Sequence, residues 1–182
     1  SERVAEALTL QENEYEIVVN LQGDAPLTPS WVIDELIKEL QNSDYNVATP
    51  VFKCDKQGLK NLLRDRKLGR VGATTVVFDK KGKALYFSKE VIPYIHEDHI
   101  KKAPNQVYHH IGVYAYKAPT LVSYLNLQPG HLEVQEGLEQ LRFIENGISV
   151  KCVVSSLKGK HFWELNNPSD VKIIESILKS FK

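Results

Sequence analysis

An apolar run that ends on a single acidic turn, Val18-Val19-Asn20-Leu21-Gln22-Gly23-Asp24-Ala25-Pro26-Leu27, constrains this chain more than any other segment. A buried strand that stops at such a turn presents its carboxylate at the carboxyl edge of a sheet, where open α/β folds carry their ligand crevices. Asp24 is therefore the first residue to suspect of chemistry. As a ligand it would suit Mg2+, a hard cation that takes one or two carboxylates and completes its shell with phosphate oxygens and water. As a turn residue it would bond its own backbone, as Asp commonly does. The residues alone leave both readings open.

Strand and helix patterns alternate around this turn. Ile17 to Leu21 reads as a buried strand, and Thr28-Pro29 opens a helix whose apolar stripe is Ile33, Leu36, Ile37 and Leu40. Tyr45 to Phe52 is strand-like, and Leu59 to Lys67 reads as a charged, exposed stretch. Residues 72–78 and 84–87 are β-rich runs around Asp79-Lys80-Lys81-Gly82-Lys83, a predicted hairpin with Gly in its turn. A polar connector from Pro93 to Pro104 leads into a ten-residue strand, Val107 to Tyr116. Strand alternation puts His110, Gly112, Tyr114 and Tyr116 on one face and Ile111, Val113 and Ala115 on the other. A helix is expected from Leu132 to Asn146, stopped by Gly147, then a strand from Ile148 to Val154. A last helix carries Val171, Ile174, Ile177, Leu178 and Phe181, with Asn167 as its N-cap and Asn166 just ahead. The sum is a single domain of α/β class, a three-layer sheet with a hairpin excursion.

Composition narrows the partners. A chain of 182 residues that is 42% hydrophobic supports one core. Lys plus Arg equals Asp plus Glu at 23 each, so no basic field exists to hold nucleic acid. Cys54 and Cys152 lie far apart without a CxxC pattern, which favours free buried thiols in a reducing compartment. No apolar run approaches the roughly 18 residues of a membrane span. The expectation is a cytoplasmic protein that meets a small molecule or another chain, with no membrane association. The start, Ser1-Glu2-Arg3-Val4-Ala5-Glu6-Ala7-Leu8, reads as the middle of a helix, and the chain has no methionine; both suggest a fragment.

Other candidate groups have bland alternatives. His96-x-x-His99 and His109-His110 lack a Cys or carboxylate at ligand spacing, so solvated loop histidines are the default. His110 aligns with Tyr114 on the polar face of its strand, a donor and acceptor surface suited to hydroxyls or a carboxylate; a satisfied histidine under a helix is the alternative. Glu133, Glu136, Glu139 and Gln140 read as the solvated side of their helix. Lys89 is a surface lysine or a point charge for an anionic substrate. No GxGxxG, P-loop or GxSxG motif is present.

Four ordered blocks nevertheless carry a family pattern. Gln22-Gly23-Asp24-x-Pro26-Leu27, Ala84-Leu85-Tyr86-Phe87-Ser88-Lys89 with Ile92-Pro93-Tyr94, His110-Ile111-Gly112-Val113-Tyr114-Ala115-Tyr116, and Leu138-Glu139-Gln140-Leu141-Arg142 with Glu145-Asn146-Gly147 resemble the 3-deoxy-manno-octulosonate (Kdo) cytidylyltransferases of lipopolysaccharide synthesis. Arg3-Val4-Ala5-Glu6 is similar to the family's Asp-Arg-x-Ala-Glu helix, so the resemblance covers nearly the whole chain. It implies a Rossmann-like nucleotidyltransferase sheet over residues 1–182, with a β-rich insertion at about 84–116 through which the protein dimerises. It implies transfer of CMP from CTP to Kdo or a related 3-deoxy sugar acid, with release of pyrophosphate, and Mg2+ as cofactor. By the same resemblance Asp24 and Asn166 are the metal-binding catalytic pair, and Arg3 and Gln22 lie at the nucleotide. Lys89, His110, Tyr114, Glu139 and Gln140 line the sugar pocket.

Three departures accompany it. The family's glycine- and lysine-containing loop that grips the CTP phosphates precedes Ser1, so these 182 residues are expected to be inactive alone and to fold only with the missing part or through dimerisation. Asn166 stands where the family has its second aspartate, which lowers the charge offered to the metal. Lys89 replaces an arginine and forfeits bidentate carboxylate recognition. With Ala25 for the usual glutamate, these changes point to a divergent subfamily. The competing reading is a non-catalytic homologue that binds sugar or nucleotide, or serves as an assembly partner.

Overall fold

The computed structural model describes residues 1–71, 73–96, 106–159, 165, 168 and 170–179. The elements are α1 (Glu2–Thr9), β1 (Ile17–Asn20), α2 (Ser30–Gln41), β2 (Val47–Lys53), α3 (Lys56–Lys67), β3 (Thr75–Phe78), β4 (Ala84–Ser88), β5 (Tyr108–His110), β6 (Tyr114–Lys117), α4 (Ala118–Ser123), α5 (His131–Glu136), α6 (Leu141–Glu145), β7 (Val150–Val154) and α7 (Asp170–Lys179). Seven strands form one mixed sheet in the order β1-β6-β2-β5-β3-β4, with β7 on the free side of β2. The β2–β7 pair is parallel, in register from Val47 opposite Val150 to Val51 opposite Val154, and the other pairs are antiparallel.

β2 explains why the sheet sits at the centre. Its residues from Val47 to Val51 are all buried, including Thr49 and Pro50. On one face α2 places Leu36 and Leu40 against Ala48, Ile111, Val113 and Ala115. On the other, α1, α4 and α6 pack Ala5, Leu121, Leu141 and Phe143 against Val47, Val51, Tyr114, Tyr116 and Val150. Each fully buried Leu contributes about 1.5–3 kcal/mol. Two apolar faces on one sheet require helices on both sides, which gives the three layers expected.

Local chemistry sets several boundaries. The hairpin between β3 and β4 turns at Gly82, φ +81°, and the Asp79 carboxylate accepts the Lys81 and Lys83 amides at 2.8 and 2.9 Å. The turn curls against β7, where the Cys152 amide donates to the Gly82 carbonyl at 2.7 Å. Gly147, φ +75°, stops α6 as expected. Cys152 is buried and Cys54 partly so, and neither is in a disulfide.

Elsewhere the elements differ from their sequence patterns. Residues 59–67 belong to a helix, capped where the Asp55 carboxylate accepts the Gly58 amide at 2.6 Å, and Leu59 and Leu62 are buried beneath its charged face. α2 starts at Ser30 with Pro29 at the cap position, because the Thr28 hydroxyl turns back to the Ala25 carbonyl at 2.9 Å. The long strand of residues 107–116 is interrupted between β5 and β6. Both halves still lie along the same edge of β2, so the alternation of faces survives the break. The expected helix from Leu132 is likewise two helices, parted at Gly137 with φ +61°.

Candidate active site

The strand β1 delivers the chain to the turn that contains Asp24, and a backbone bond from the Ala25 amide to the Gln22 carbonyl at 3.1 Å closes that turn. Unlike Asp55 and Asp79, Asp24 makes no side-chain bond to its own backbone. Among the described residues no hydrogen bond or ion pair holds its carboxylate, which is exposed. The turn-forming alternative therefore loses its main support.

Two adjoining hollows meet at this turn. The first, about 540 Å3, is bounded by Ser1 to Val4 on α1 and by Asn20, Gln22, Gly23, Asp24 and Glu139. The second, about 320 Å3, is floored by His109, His110, Gly112 and Tyr114. Its walls come from Thr74, from Gly137 to Gln140, and again from Gln22 and Asp24. Arg3, Gln22, Asp24, His110, Tyr114, Glu139 and Gln140 are thus brought together from four parts of the chain. Lys89 stands at the rim, since a Cβ added at Gly137 would lie 2.8 Å from its Nζ. Gly112 lets Gln22 close on the junction, since a Cβ there would lie 3.0 Å from Gln22 Oε1 and shift that side chain.

Asn166 lies outside the described residues, as do His99 and Asn167. The neighbouring Leu165 is described, and its amide donates to the Asp24 carbonyl at 2.7 Å. Among the described residues no group of three or more His, Cys, Asp or Glu is arranged to hold a metal. What the hollow offers a cation is the free oxygen pair of Asp24, a hard donor that fits Mg2+ when phosphate and water oxygens complete the shell.

The floor is polar but uncharged. Burial pushes the His110 imidazole down to about 3, helped by the adjacent His109, which burial holds at about 4. Burial also pushes the Tyr114 phenol well above its ordinary range, with Tyr116 and Glu139 adding to the effect. His110 Nε2 lies 2.9 Å from Thr49 Oγ1, and the ring packs edge-on against Phe87 with centroids 5.0 Å apart. Gln140 is 3% exposed, yet its amide has no partner among the described residues. No buried side-chain nitrogen or oxygen among them is left unpaired, so the Gln140 amide opens onto the hollow.

The acidic residues flanking Gly137 are structural rather than solvated, against the sequence reading. Glu136 accepts from Ser88 Oγ at 2.7 Å, Tyr86 Oη at 3.2 Å and the Lys89 amide at 2.9 Å. Burial alone would raise its pKa, but these three donors and the Lys89 ammonium outweigh it and hold the carboxyl below the usual range. Glu133 forms a two-pronged ion pair with Arg142, both bonds 2.6 Å. Arg142 also reaches Glu2 Oε1 at 2.7 Å and lies over the Tyr124 ring. Sequence reasoning gives no sign of Thr49 or Thr74, reads Glu136 as solvated, and meets His109 only as half of a doubled histidine.

Comparison with known proteins shows the family of the chain and a matching fold. A family model described as cytidylyltransferase matches residues 1–154. The chain is 36% identical over 182 residues to a 3-deoxy-manno-octulosonate cytidylyltransferase of Maricaulis maris (strain MCS10), covering 98% of the chain and 68% of that protein. It is 38% identical over 179 residues to the protein of the same name from Chlamydia felis (strain Fe/C-56), covering 98% of the chain and 64% of the relative. The chain therefore spans about two thirds of the length of these curated relatives. Its fold matches a solved CMP:2-keto-3-deoxy-manno-octonic acid synthetase complexed with CTP, with TM-score 0.81 and 24% identity over 100% of this chain and 68% of that one.

Proposed function

The chain belongs to the cytidylyltransferase family, together with the 3-deoxy-manno-octulosonate cytidylyltransferases, and on that premise we propose that it transfers CMP from CTP to Kdo or a related 3-deoxy sugar acid. In this reaction the anomeric hydroxyl oxygen bonds to the α-phosphorus of CTP, and the bond from that phosphorus to the bridging oxygen breaks. Pyrophosphate leaves, and the hydroxyl proton passes to solvent. Displacement at phosphorus needs positioning and charge neutralisation more than covalent help from the protein.

The observation that carries the proposal is the meeting of two hollows at Asp24. Arg3 and Gln22 border the first, which we assign to the nucleotide. His110, Tyr114, Glu139 and Gln140 line the second, with Lys89 at its rim, and we assign it to the sugar acid. The Lys89 ammonium supplies the positive charge that a sugar carboxylate needs, and the neutral floor supplies hydrogen bonds for hydroxyls without adding charge. Mg2+, held by Asp24 with Asn166 as second ligand, would neutralise charge on the triphosphate.

The product is assigned to lipopolysaccharide synthesis in the cytoplasm, supported by the family and by two cysteines that form no disulfide. A homodimer is supported by Tyr94, 86% exposed, which follows Pro93 at the edge of a hollow lined also by Val76, Val77, Phe78, Gln106 and Tyr108.

Pyrophosphate release by the full-length protein with CTP, Mg2+ and a panel of 3-deoxy sugar acids tests the reading. Turnover with one of them is expected. CTP binding without turnover of any sugar acid would refute it. Replacing Asn166 with Asp separates the alternative: raised activity marks a weakened enzyme, whereas sugar binding unaccompanied by turnover marks a non-catalytic homologue.

A further inference from the structure

The Thr49 hydroxyl lies beneath the floor of the second hollow, fully buried at the break between β5 and β6. It has three polar neighbours: the Val113 carbonyl at 2.8 Å, the Ile111 carbonyl at 3.2 Å and His110 Nε2 at 2.9 Å. A hydroxyl has one proton to give, and a carbonyl can only accept. The short contact to Val113 therefore takes the proton, and the contact to His110 must run the other way, from Nε2–H to the Thr49 oxygen. A neutral imidazole has a single N–H, so Nδ1 is left as an acceptor. Nδ1 has no partner among the described residues, and none of their buried side-chain nitrogens or oxygens is unpaired. The nitrogen that opens onto the hollow is thus the one with the lone pair.

We propose that Thr49 is a positioning residue that locks His110 in its Nε2–H tautomer, so that Nδ1 accepts a hydrogen bond from a hydroxyl of the sugar acid and disfavours a carboxylate at that point. The proposal rests on the assignment of the second hollow to the sugar. It separates the roles of two groups there. Lys89 at the rim, a donor and a cation, takes the carboxylate, and His110 on the floor reads a hydroxyl. The same Thr49 hydroxyl donates to the Val113 carbonyl, so the group that sets the tautomer also bonds the backbone at the strand break.

Nitrogen-15 labelling of histidine in the full-length protein tests the tautomer directly, with the His110 signals assigned by their absence from H110Q. The expected wild-type pattern is a protonated Nε2 and a bare Nδ1, with the Nδ1 resonance moving on addition of Kdo. A protonated Nδ1, or rapid exchange between tautomers, overturns the proposal. T49V should release the tautomer and raise KM for the sugar acid about tenfold, the worth of one hydrogen bond, with KM for CTP unchanged. T49S, which keeps the hydroxyl, should restore both readouts even if T49V folds poorly. An unchanged sugar KM in T49V, or failure of T49S to hold the tautomer, also overturns it. If no sugar acid turns over in wild type, the cytidylyltransferase reading fails; a Kdo-insensitive Nδ1 in an enzyme that does turn over sinks this proposal alone.

Discussion

The Leu165 amide is hydrogen bonded to the Asp24 carbonyl, which brings the approach to the last helix against the acidic turn that follows β1. The bond uses only main-chain atoms, so the Asp24 side chain can be altered without loosening it. Replacing Asp24 with Asn should therefore leave thermal unfolding within about 1 °C of wild type, as expected for an exposed carboxylate without partners. Pyrophosphate release should fall at least about a hundredfold, the scale on which loss of one preorganised charge acts in transfer reactions. A melt together with a turnover assay checks both halves.

Arg142 is buried and paired with Glu133 and Glu2. Arg142→Met strands the largely buried Glu133 carboxylate and should cost about 3–5 kcal/mol in urea unfolding. Arg142→Lys should recover only part, because an ammonium cannot match both carboxylate oxygens at once. Equal stability of the Lys variant and wild type would contradict the two-pronged geometry.

At Gly137 the backbone is left-handed and the Lys89 ammonium fills the space of a side chain. Gly137→Ala should lose about 1 kcal/mol of stability. Because Lys89 must move, KM for the sugar acid should rise more than KM for CTP. Steady-state kinetics with each substrate varied in turn reads the difference.

Acid should destabilise the protein through His110. Its folded pKa, about 3, is below the ordinary 6.5, so the unfolded chain binds the proton first. The stability due to the neutral ring is complete above pH 6.5 and drains away as pH falls toward 3. Urea midpoints measured from pH 7.5 to 4 should decline, and H110Q should show a shallower decline. Glu136 acts in the same sense at lower pH, since its carboxyl is held below its ordinary value.

Local signals in the sequence reached as far as local forces did. The Asp24 turn, the Gly82 hairpin and the Gly147 stop all depend on residues a few positions apart, and all were foreseen. The break at Gly137 was not, because Leu138, Leu141 and Ile144 keep helical spacing on its far side while Glu136 is drawn to Ser88, which is 48 positions away. The interruption between β5 and β6 is hidden for a similar reason: the Thr49 hydroxyl that bonds the Val113 carbonyl there belongs to another strand. In α3 the sign is local and legible, since Asp55 stands as N-cap ahead of Leu59 and Leu62 at helical spacing. The site residues were reached through the family blocks, and their assembly around shared walls came only from the fold.

Arg142 has a consequence beyond stability. It bolts Glu2, next door to Arg3, to Glu133, on the same short segment as Glu139 and Gln140. The helix beside the hollow assigned to the nucleotide and the segment that walls the hollow assigned to the sugar are thus joined through one guanidinium that borders neither.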